Sequence, residues 1–113
     1  MYKELNRFES RQHECHLIRT KYPHRIPCII QLEPHSTLSR HSKIKYLIPE
    51  TSTVSDIILV IRKSIKLKYH QALFFRIGLE TLSGSTTVSS LYEKHKDKDG
   101  FLYMYYTEEN TFG

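Results

Sequence analysis

The sequence predicts an α+β domain of the β-grasp type, in which a four-stranded mixed sheet packs around one central helix. Three observations favour this fold class. Residues 54–65 have the apolar spacing of one long helix with a single buried face. Four short apolar segments, bounded by proline, glycine or polar residues, have the character of strands. A basic segment with helical periodicity precedes the first of them, and 113 residues suffice for one domain.

The N-terminal segment, residues 1–24, is expected to be a helical extension of this domain. Asn6, followed three residues later by Glu9, is a capping-box pattern that predicts the start of a helix. Pro23 ends this helix, because the residue before a proline disfavours the α region. Residues 2–5 are expected to add one further helical turn.

The first two strands open the domain core, which is expected to span residues 25–107. They are predicted over 26–32 and 44–48. Pro27 cannot donate a hydrogen bond to a neighbouring strand, so it should lie at a strand start or on a sheet edge. Pro49 stops the second strand.

The central helix begins at a second capping box, formed by Thr53 and Asp56. Two apolar residues, Leu59 and Val60, lie off its buried face and leave extra apolar surface. The residues of the buried face itself are Val54, Ile57, Ile58, Ile61 and Ile65.

The C-terminal third is expected to supply two more strands and a short helix. The strands are predicted over 72–77 and 101–106, and Thr87 is placed to cap the helix between them. Residues 108–113 have no periodic pattern, so we expect them to form a flexible tail.

Composition limits the classes of partner and compartment. The net charge is +5, distributed as +3 over residues 1–32, +4 over 33–70 and −2 over 71–113. This excess permits an anionic partner without specifying which kind. Cys15 and Cys28 cannot form a disulfide framework, no signal peptide is recognisable, and no apolar run approaches the ~20 residues that span a bilayer. We therefore expect a soluble protein of a reducing compartment.

The residues do not favour catalysis, a metal or a cofactor. His13, Cys15 and His16 are the only clustered candidate ligands, whereas a zinc site needs three or four, normally with a second cluster. No nucleophile motif or phosphate-binding loop is present. The aromatic strand over 101–106 resembles an RNA-recognition strand, but Asp99 occupies the position that should be basic. Core packing is favoured there, and no nucleic acid is expected.

If residues 44–48 form a sheet edge, their unpaired backbone groups can bind an extended peptide. Alternation sends Lys45 and Leu47 to one side, and Tyr46 and Ile48 to the other. Two pockets are then possible, and basic side chains nearby would attract acidic residues of the ligand. The first pocket groups Ile18, Pro27, Ile29 and Leu47. The second groups Tyr46, Ile48, Ile57 and Val60. The basic side chains are Arg25, Lys43 and Lys45. Periodicity alone favours the alternative that the apolar ones are simply core.

The glycine at position 113 suggests a substrate of acyl transfer. A residue without Cβ can pass through the narrow channel of an activating enzyme, which converts its carboxylate into an activated acyl group. The protein would then be the group transferred and not the catalyst.

Taken together, these motifs identify a family. The chain closely resembles, over its whole length, the autophagy ubiquitin-like modifiers, or GABA-receptor-associated-protein family. The matching motifs include Tyr2-Lys3-Glu4, Lys21-Tyr22-Pro23, Arg25-Ile26-Pro27, Lys43-Ile44-Lys45-Tyr46-Leu47-Ile48-Pro49, Leu73-Phe74-Phe75, Asp97-Lys98-Asp99-Gly100-Phe101-Leu102-Tyr103 and Phe112-Gly113.

The resemblance implies a ubiquitin-like fold with two N-terminal helices. It also implies covalent attachment of Gly113 to phosphatidylethanolamine, after thioester transfer by activating and conjugating enzymes, with a cysteine protease that processes and delipidates the protein. The expected location is the cytoplasm, and the autophagosome membrane after lipidation, with a monomer in solution. There the protein would recruit receptors that carry aromatic-x-x-aliphatic motifs.

The resemblance also implies the residues of each pocket. The aromatic pocket comprises Glu14, Ile18, Pro27, Ile29, Lys45, Leu47 and Phe101. The aliphatic pocket comprises Tyr46, Ile48, Pro49, Ile57 and Val60. The flanking basic residues are Arg25, Lys43 and Arg62.

Three positions depart from the family pattern. Ser52 replaces an aliphatic residue of the second pocket, Ser64 a third basic residue, and Arg76 a third aromatic. The alternative function is an unconjugated ubiquitin-like adaptor that binds cytoskeleton or anionic membrane through its basic face.

Overall fold

The computed structural model describes residues 1–36, 38 and 43–108, and within these ranges it has four helices and five strands. The predicted α+β class is confirmed. The elements in chain order are α1 (Tyr2–Leu5), α2 (Phe8–Lys21), β1 (Arg25–Leu32), β2 (Lys45–Pro49), α3 (Val54–Ser64), β3 (Leu73–Ile77), β4 (Glu80–Thr81), α4 (Val88–His95) and β5 (Leu102–Glu108).

The five strands form one mixed sheet in the order β2-β1-β5-β3-β4. β1 and β5 pair in parallel, and the other neighbours are antiparallel. The arrangement places β5 at the centre and β2 at one edge. All four predicted strands are present, but the expected count of four was too low by one.

The additional strand, β4, is the second arm of a two-residue hairpin. Arg76 pairs with Thr81 and Ile77 pairs with Glu80, which leaves Gly78 and Leu79 as the loop. Gly78 has φ +57°, a backbone conformation that such tight hairpins require and that glycine adopts without steric cost. A strand of two residues is too short to show periodicity, so this glycine was its only sequence signal.

The central helix packs as its sequence predicts. Val54, Ile57 and Ile61 are at most 2% exposed and belong to the main core, whereas Leu59 and Val60 are 58% and 48% exposed. The capping box at its N-terminus is confirmed, because Thr53 accepts a hydrogen bond from the Asp56 amide and Asp56 accepts one from the Thr53 amide. The predicted cap on α4 is also present, with the Thr87 hydroxyl accepting from the Ser90 amide.

The cap predicted for α2 is wrong. Arg7, not Asn6, is its N-cap residue, and no side chain caps the helix. Asn6 instead completes α1: its side-chain amide donates to the Tyr2 carbonyl at 2.9 Å, and its own carbonyl accepts from Arg11. Asn6 is therefore committed to the helix before it.

The N-terminal helices are attached to the sheet by a buried ion pair. The Arg11 guanidinium donates to Asp99 at 2.6 Å, and the Tyr103 hydroxyl donates to the same carboxylate at 2.5 Å. Gly100, beside this pair, has φ +97°, and a Cβ there would lie 2.5 Å from the sulfur of Cys15. The close approach of α2 to this turn therefore requires glycine.

The last strand is a core strand, as favoured by the sequence. Leu102, Met104 and Tyr106 are at most 2% exposed between β1 and β3. The strand continues to Glu108, one residue into the predicted tail, because Glu108 pairs with Leu73. The rest of that tail, 109–113, lies outside the described residues.

No helix among the described residues has the length and apolar character needed to cross a bilayer.

Candidate functional site

The β2 strand offers an exposed sheet edge. It is the terminal strand in the sheet order, with β1 as its neighbour on one side. Its register with β1 places Leu47 opposite Pro27 and Tyr46 opposite Cys28. Backbone groups on the outer side of such an edge are available to an added peptide strand.

A small cavity of about 80 Å³ opens beside this edge. The elements α2, β1 and β2 contribute to it, together with the residue that directly precedes β5. Its lining combines apolar and aromatic residues with one lysine. The lining residues are Ile18, Pro27, Lys45, Tyr46, Leu47 and Phe101.

The structure therefore brings together five of the seven residues predicted for the aromatic pocket. The sixth, Ile29, is fully buried and belongs to the same apolar cluster as Phe101, so it supports the cavity without lining it. The seventh, Glu14, lies at the rim. Tyr46, assigned by the sequence to the aliphatic pocket, also lines this cavity.

An ion pair holds Lys45 at the cavity rim. Its ammonium lies 2.9 Å from one carboxylate oxygen of Glu14 and 3.1 Å from the other. Hydrogen bonding to Glu14 raises the pKa of Lys45, so the ammonium is charged at neutral pH. Both side chains remain partly exposed, which leaves this pair accessible to a competing acidic ligand.

Tyr2 is a member of this rim that sequence reasoning missed. Its hydroxyl donates to Glu14 at 3.4 Å, and the Lys45 ammonium lies 5.5 Å from the centre of its ring. The ring also packs edge-on against Phe101. The one available signal was an aromatic residue in the short helical turn that precedes α2.

The residues predicted for the aliphatic pocket divide into two groups. Tyr46 and Ile57 are buried members of the main core, and Ile48 packs against that core. Val60 and Pro49 are exposed. These residues surround the junction of β2 and α3, where buried apolar side chains meet exposed ones.

The flanking basic residues differ in availability. Arg25 and Lys43 are exposed near β2, and the Lys43 ammonium lies 4.8 Å from the centre of the Tyr46 ring. Arg62 is instead occupied: its guanidinium donates to the carbonyls of Lys68 and Gln71 and so fixes the loop after α3. Arg62 is therefore committed to this loop and not turned toward either pocket.

The other residues that the sequence singles out are Gly113 and the metal-ligand candidates His13, Cys15 and His16, which the sequence did not favour. Gly113 lies outside the described residues. Cys15 is buried, whereas His13 and His16 are exposed on α2. Within the described ranges, no group of three or more metal-ligand side chains is assembled.

Comparison with known proteins identifies the family. The model of the family described as autophagy protein Atg8, ubiquitin-like, matches residues 10–113. This chain belongs to the Atg8 family. The resemblance inferred from its motifs is thereby confirmed.

Individual Atg8 relatives match over almost their full length. Autophagy-related protein 8 of Mycosarcoma maydis is 42% identical, with 99% of this chain and 95% of the relative covered. Autophagy-related protein 8a of Arabidopsis thaliana is 43% identical, with 99% and 92% covered. The crystal structure of Trypanosoma brucei ATG8 has a TM-score of 0.92 at 38% identity, with 99% and 97% covered. The ubiquitin-like Atg8 fold is therefore confirmed for this chain.

Proposed function

We propose that this Atg8-family protein is conjugated through Gly113 to phosphatidylethanolamine on autophagosomal membranes, where it recruits receptors with aromatic-x-x-aliphatic motifs. The observation that carries the receptor-binding part is the cavity beside β2, with Leu47 on its wall and the Lys45–Glu14 pair at its rim. An extended peptide can pair with the edge strand, place an apolar anchor in the cavity and offer acidic residues to Lys45.

The cavity must widen to take an aromatic anchor. A cavity of roughly 150 Å³ holds benzene, whereas this one is about 80 Å³. The Lys45 side chain is the movable part of the cavity wall, because it is half exposed. Among the carboxylates of the described residues, Glu14 alone forms an ion pair with its ammonium. An acidic ligand residue that attracts Lys45 away from Glu14 would open the cavity for the anchor beside it.

The conjugation part depends on Gly113. The activating enzyme would adenylate its carboxylate with ATP and release pyrophosphate, an enzyme thiol would displace AMP to form a thioester, and the lipid amine would displace that thiol to form an amide. The protein would supply the acyl group, with catalysis coming from the activating and conjugating enzymes. Its own thiols are poor nucleophiles, since burial raises the pKa of Cys15 to about 11 and raises that of Cys28 further.

Replacing Gly113 by Ala is expected to abolish lipidation while leaving peptide binding intact, because the added Cβ obstructs the channel of the activating enzyme. The measurement is intact mass spectrometry after incubation with the activating and conjugating enzymes and phosphatidylethanolamine vesicles. Normal lipidation of Gly113→Ala would refute the acceptor assignment and favour the unconjugated adaptor.

Replacing Leu47 by Ala is expected to weaken an aromatic-x-x-aliphatic peptide by about 1–3 kcal/mol, as for a buried anchor contact. Calorimetric titration measures this loss. The control is Leu79→Ala, since Leu79 is fully exposed in the β3–β4 hairpin. Equal affinity of a folded Leu47→Ala variant and the control would remove the cavity from the binding site.

A further inference from the structure

We propose that the cleft between α2 and α4 binds a small molecule or lipid headgroup that carries two or more phosphate groups. This α2–α4 cleft has a volume of about 340 Å³ and shares no lining residue with the cavity beside β2. One face of α2, the C-terminal end of α4 and the turn before β5 form its walls. Its lining includes Arg19, Tyr92, Lys96 and Lys98, with Asp97 and Asp99 in the turn.

Tyr92 holds two cations near each other in this cleft. The Arg19 guanidinium lies 5.2 Å from the centre of its ring, and the Lys96 ammonium lies 5.5 Å from it. The ring itself is fixed, because the Tyr92 hydroxyl donates to the Gly100 carbonyl at 2.7 Å. Two like charges repel each other, and an anion bound between them converts that repulsion into attraction.

The carboxylates of the turn do not neutralise these cations. Asp97 forms an ion pair with Lys3 at 2.6 Å, and Asp99 forms one with Arg11 at 2.6 Å. The second carboxylate oxygen of Asp97 accepts a hydrogen bond from the Asp99 amide, and that of Asp99 accepts one from the Phe101 amide. Since Lys3 and Arg11 do not line the cleft, both negative charges are balanced from outside it.

Three cations of the cleft therefore lack a counter-charge. Across the described part of the chain, neither Arg19, Lys96 nor Lys98 forms an ion pair with a carboxylate. Arg19 is also held in place, because one of its nitrogens donates to the carbonyls of Pro23 and Arg25. A fixed guanidinium with two exposed ammonium groups suits phosphate oxygens, which accept several charge-assisted hydrogen bonds.

The size of the cleft indicates more than a single phosphate ion. Its volume lies at the lower end of the roughly 300–1,000 Å³ typical of small-molecule sites. A phosphorylated sugar or inositol ring would bring two phosphates to the three cations and lay its ring against Tyr92. The site is open, so the same chemistry can come from a free metabolite or from a lipid headgroup.

The test uses the full, unconjugated chain at low ionic strength, with pyrophosphate and inositol 1,4,5-trisphosphate as probes in calorimetric titrations. Lys96→Ala/Lys98→Ala is expected to weaken binding by about tenfold or more, the equivalent of one charge-assisted hydrogen bond. The control Lys63→Ala/Lys68→Ala removes the same charge from exposed lysines elsewhere and should stay within about twofold. Equal losses in both variants, or no binding of either probe, would overturn the proposal.

A second arm distinguishes the source of the phosphates. Vesicles of phosphatidylcholine with and without phosphatidylinositol 4,5-bisphosphate are compared by co-sedimentation. Binding that the soluble trisphosphate displaces identifies a headgroup, and binding of the free trisphosphate alone identifies a metabolite. A phosphoserine peptide that binds tenfold more tightly than the trisphosphate would contradict the assignment. Because Gly113 takes no part, these outcomes are independent of lipid conjugation.

Discussion

At the scale of single residues, the ion pair between Arg11 and Asp99 is a buried contact that attaches the N-terminal helices to the rest of the fold. The Asp99 side chain is fully buried and that of Arg11 is 10% exposed. No sequence motif links the two residues, since they are 88 positions apart. The sequence therefore predicted the helices but not what attaches them to the sheet.

Replacing Asp99 by Asn is expected to lower the free energy of unfolding by about 3–5 kcal/mol, because it leaves the Arg11 charge buried without a partner. Urea unfolding measures the loss. The matched control is Lys3→Ala, which breaks the half-exposed ion pair with Asp97 and should cost less than about 1 kcal/mol. Similar small losses in both variants would show that the buried pair does not hold the extension.

The buried thiol of Cys15, which lies against Gly100, makes the free energy of unfolding fall at alkaline pH. Burial raises the pKa of this thiol to about 11, above the value of about 8.5 expected in the unfolded chain. The unfolded state thus loses this proton first, so the stabilisation is complete below pH 8.5 and is lost as the pH rises toward 11.

The expected loss of unfolding free energy from this thiol between pH 8 and pH 11 is about 2–3 kcal/mol. Urea unfolding at both pH values measures it. Cys15→Ala should lose less stability over that interval than the unmodified protein, although it is less stable at pH 8. The same pH dependence in both proteins would contradict the assignment to Cys15.

At the scale of elements, the helix caps explain both the successes and the failure of the sequence predictions. Thr53 and Thr87 cap their helices because each has extended backbone and directly precedes the helix whose first turn its hydroxyl reaches. Asn6 is also a favoured N-cap residue, but it directly follows α1, and its side-chain amide donates to the Tyr2 carbonyl. A cap pattern between two adjacent helices can serve either one, and the sequence alone does not decide which.

Thr53→Ala is expected to cost about 1 kcal/mol of unfolding free energy, since it removes the cap of α3. The converse change, Arg7→Ser, should add about 0.5–1 kcal/mol, because it gives α2 the side-chain cap it lacks. Thermal and urea unfolding of the two variants check both signs. A loss of stability in Arg7→Ser would show that the Arg7–Glu9 contact matters more than the cap.

At the scale of the whole molecule, the position of β2 decides how much of the candidate site could be predicted. Alternation within residues 44–48 correctly separated Leu47 from Ile48, because the period of a strand fixes the side of each residue. It did not reveal that Arg62 binds the loop after α3, or that Tyr2 reaches Lys45. The first contact depends on the path of an irregular loop and the second on how distant elements pack, and strand alternation encodes neither.

The central position of β5 also constrains the biosynthesis of this protein. Residues 28–32 of β1 pair in parallel with residues 102–106 of β5, and β3 pairs with the opposite side of β5. During translation, β1 and β3 therefore cannot pair with β5 until almost all described residues have left the ribosome. Until then β1 and β3 each expose an apolar edge, which is the condition under which nascent chains aggregate or recruit chaperones.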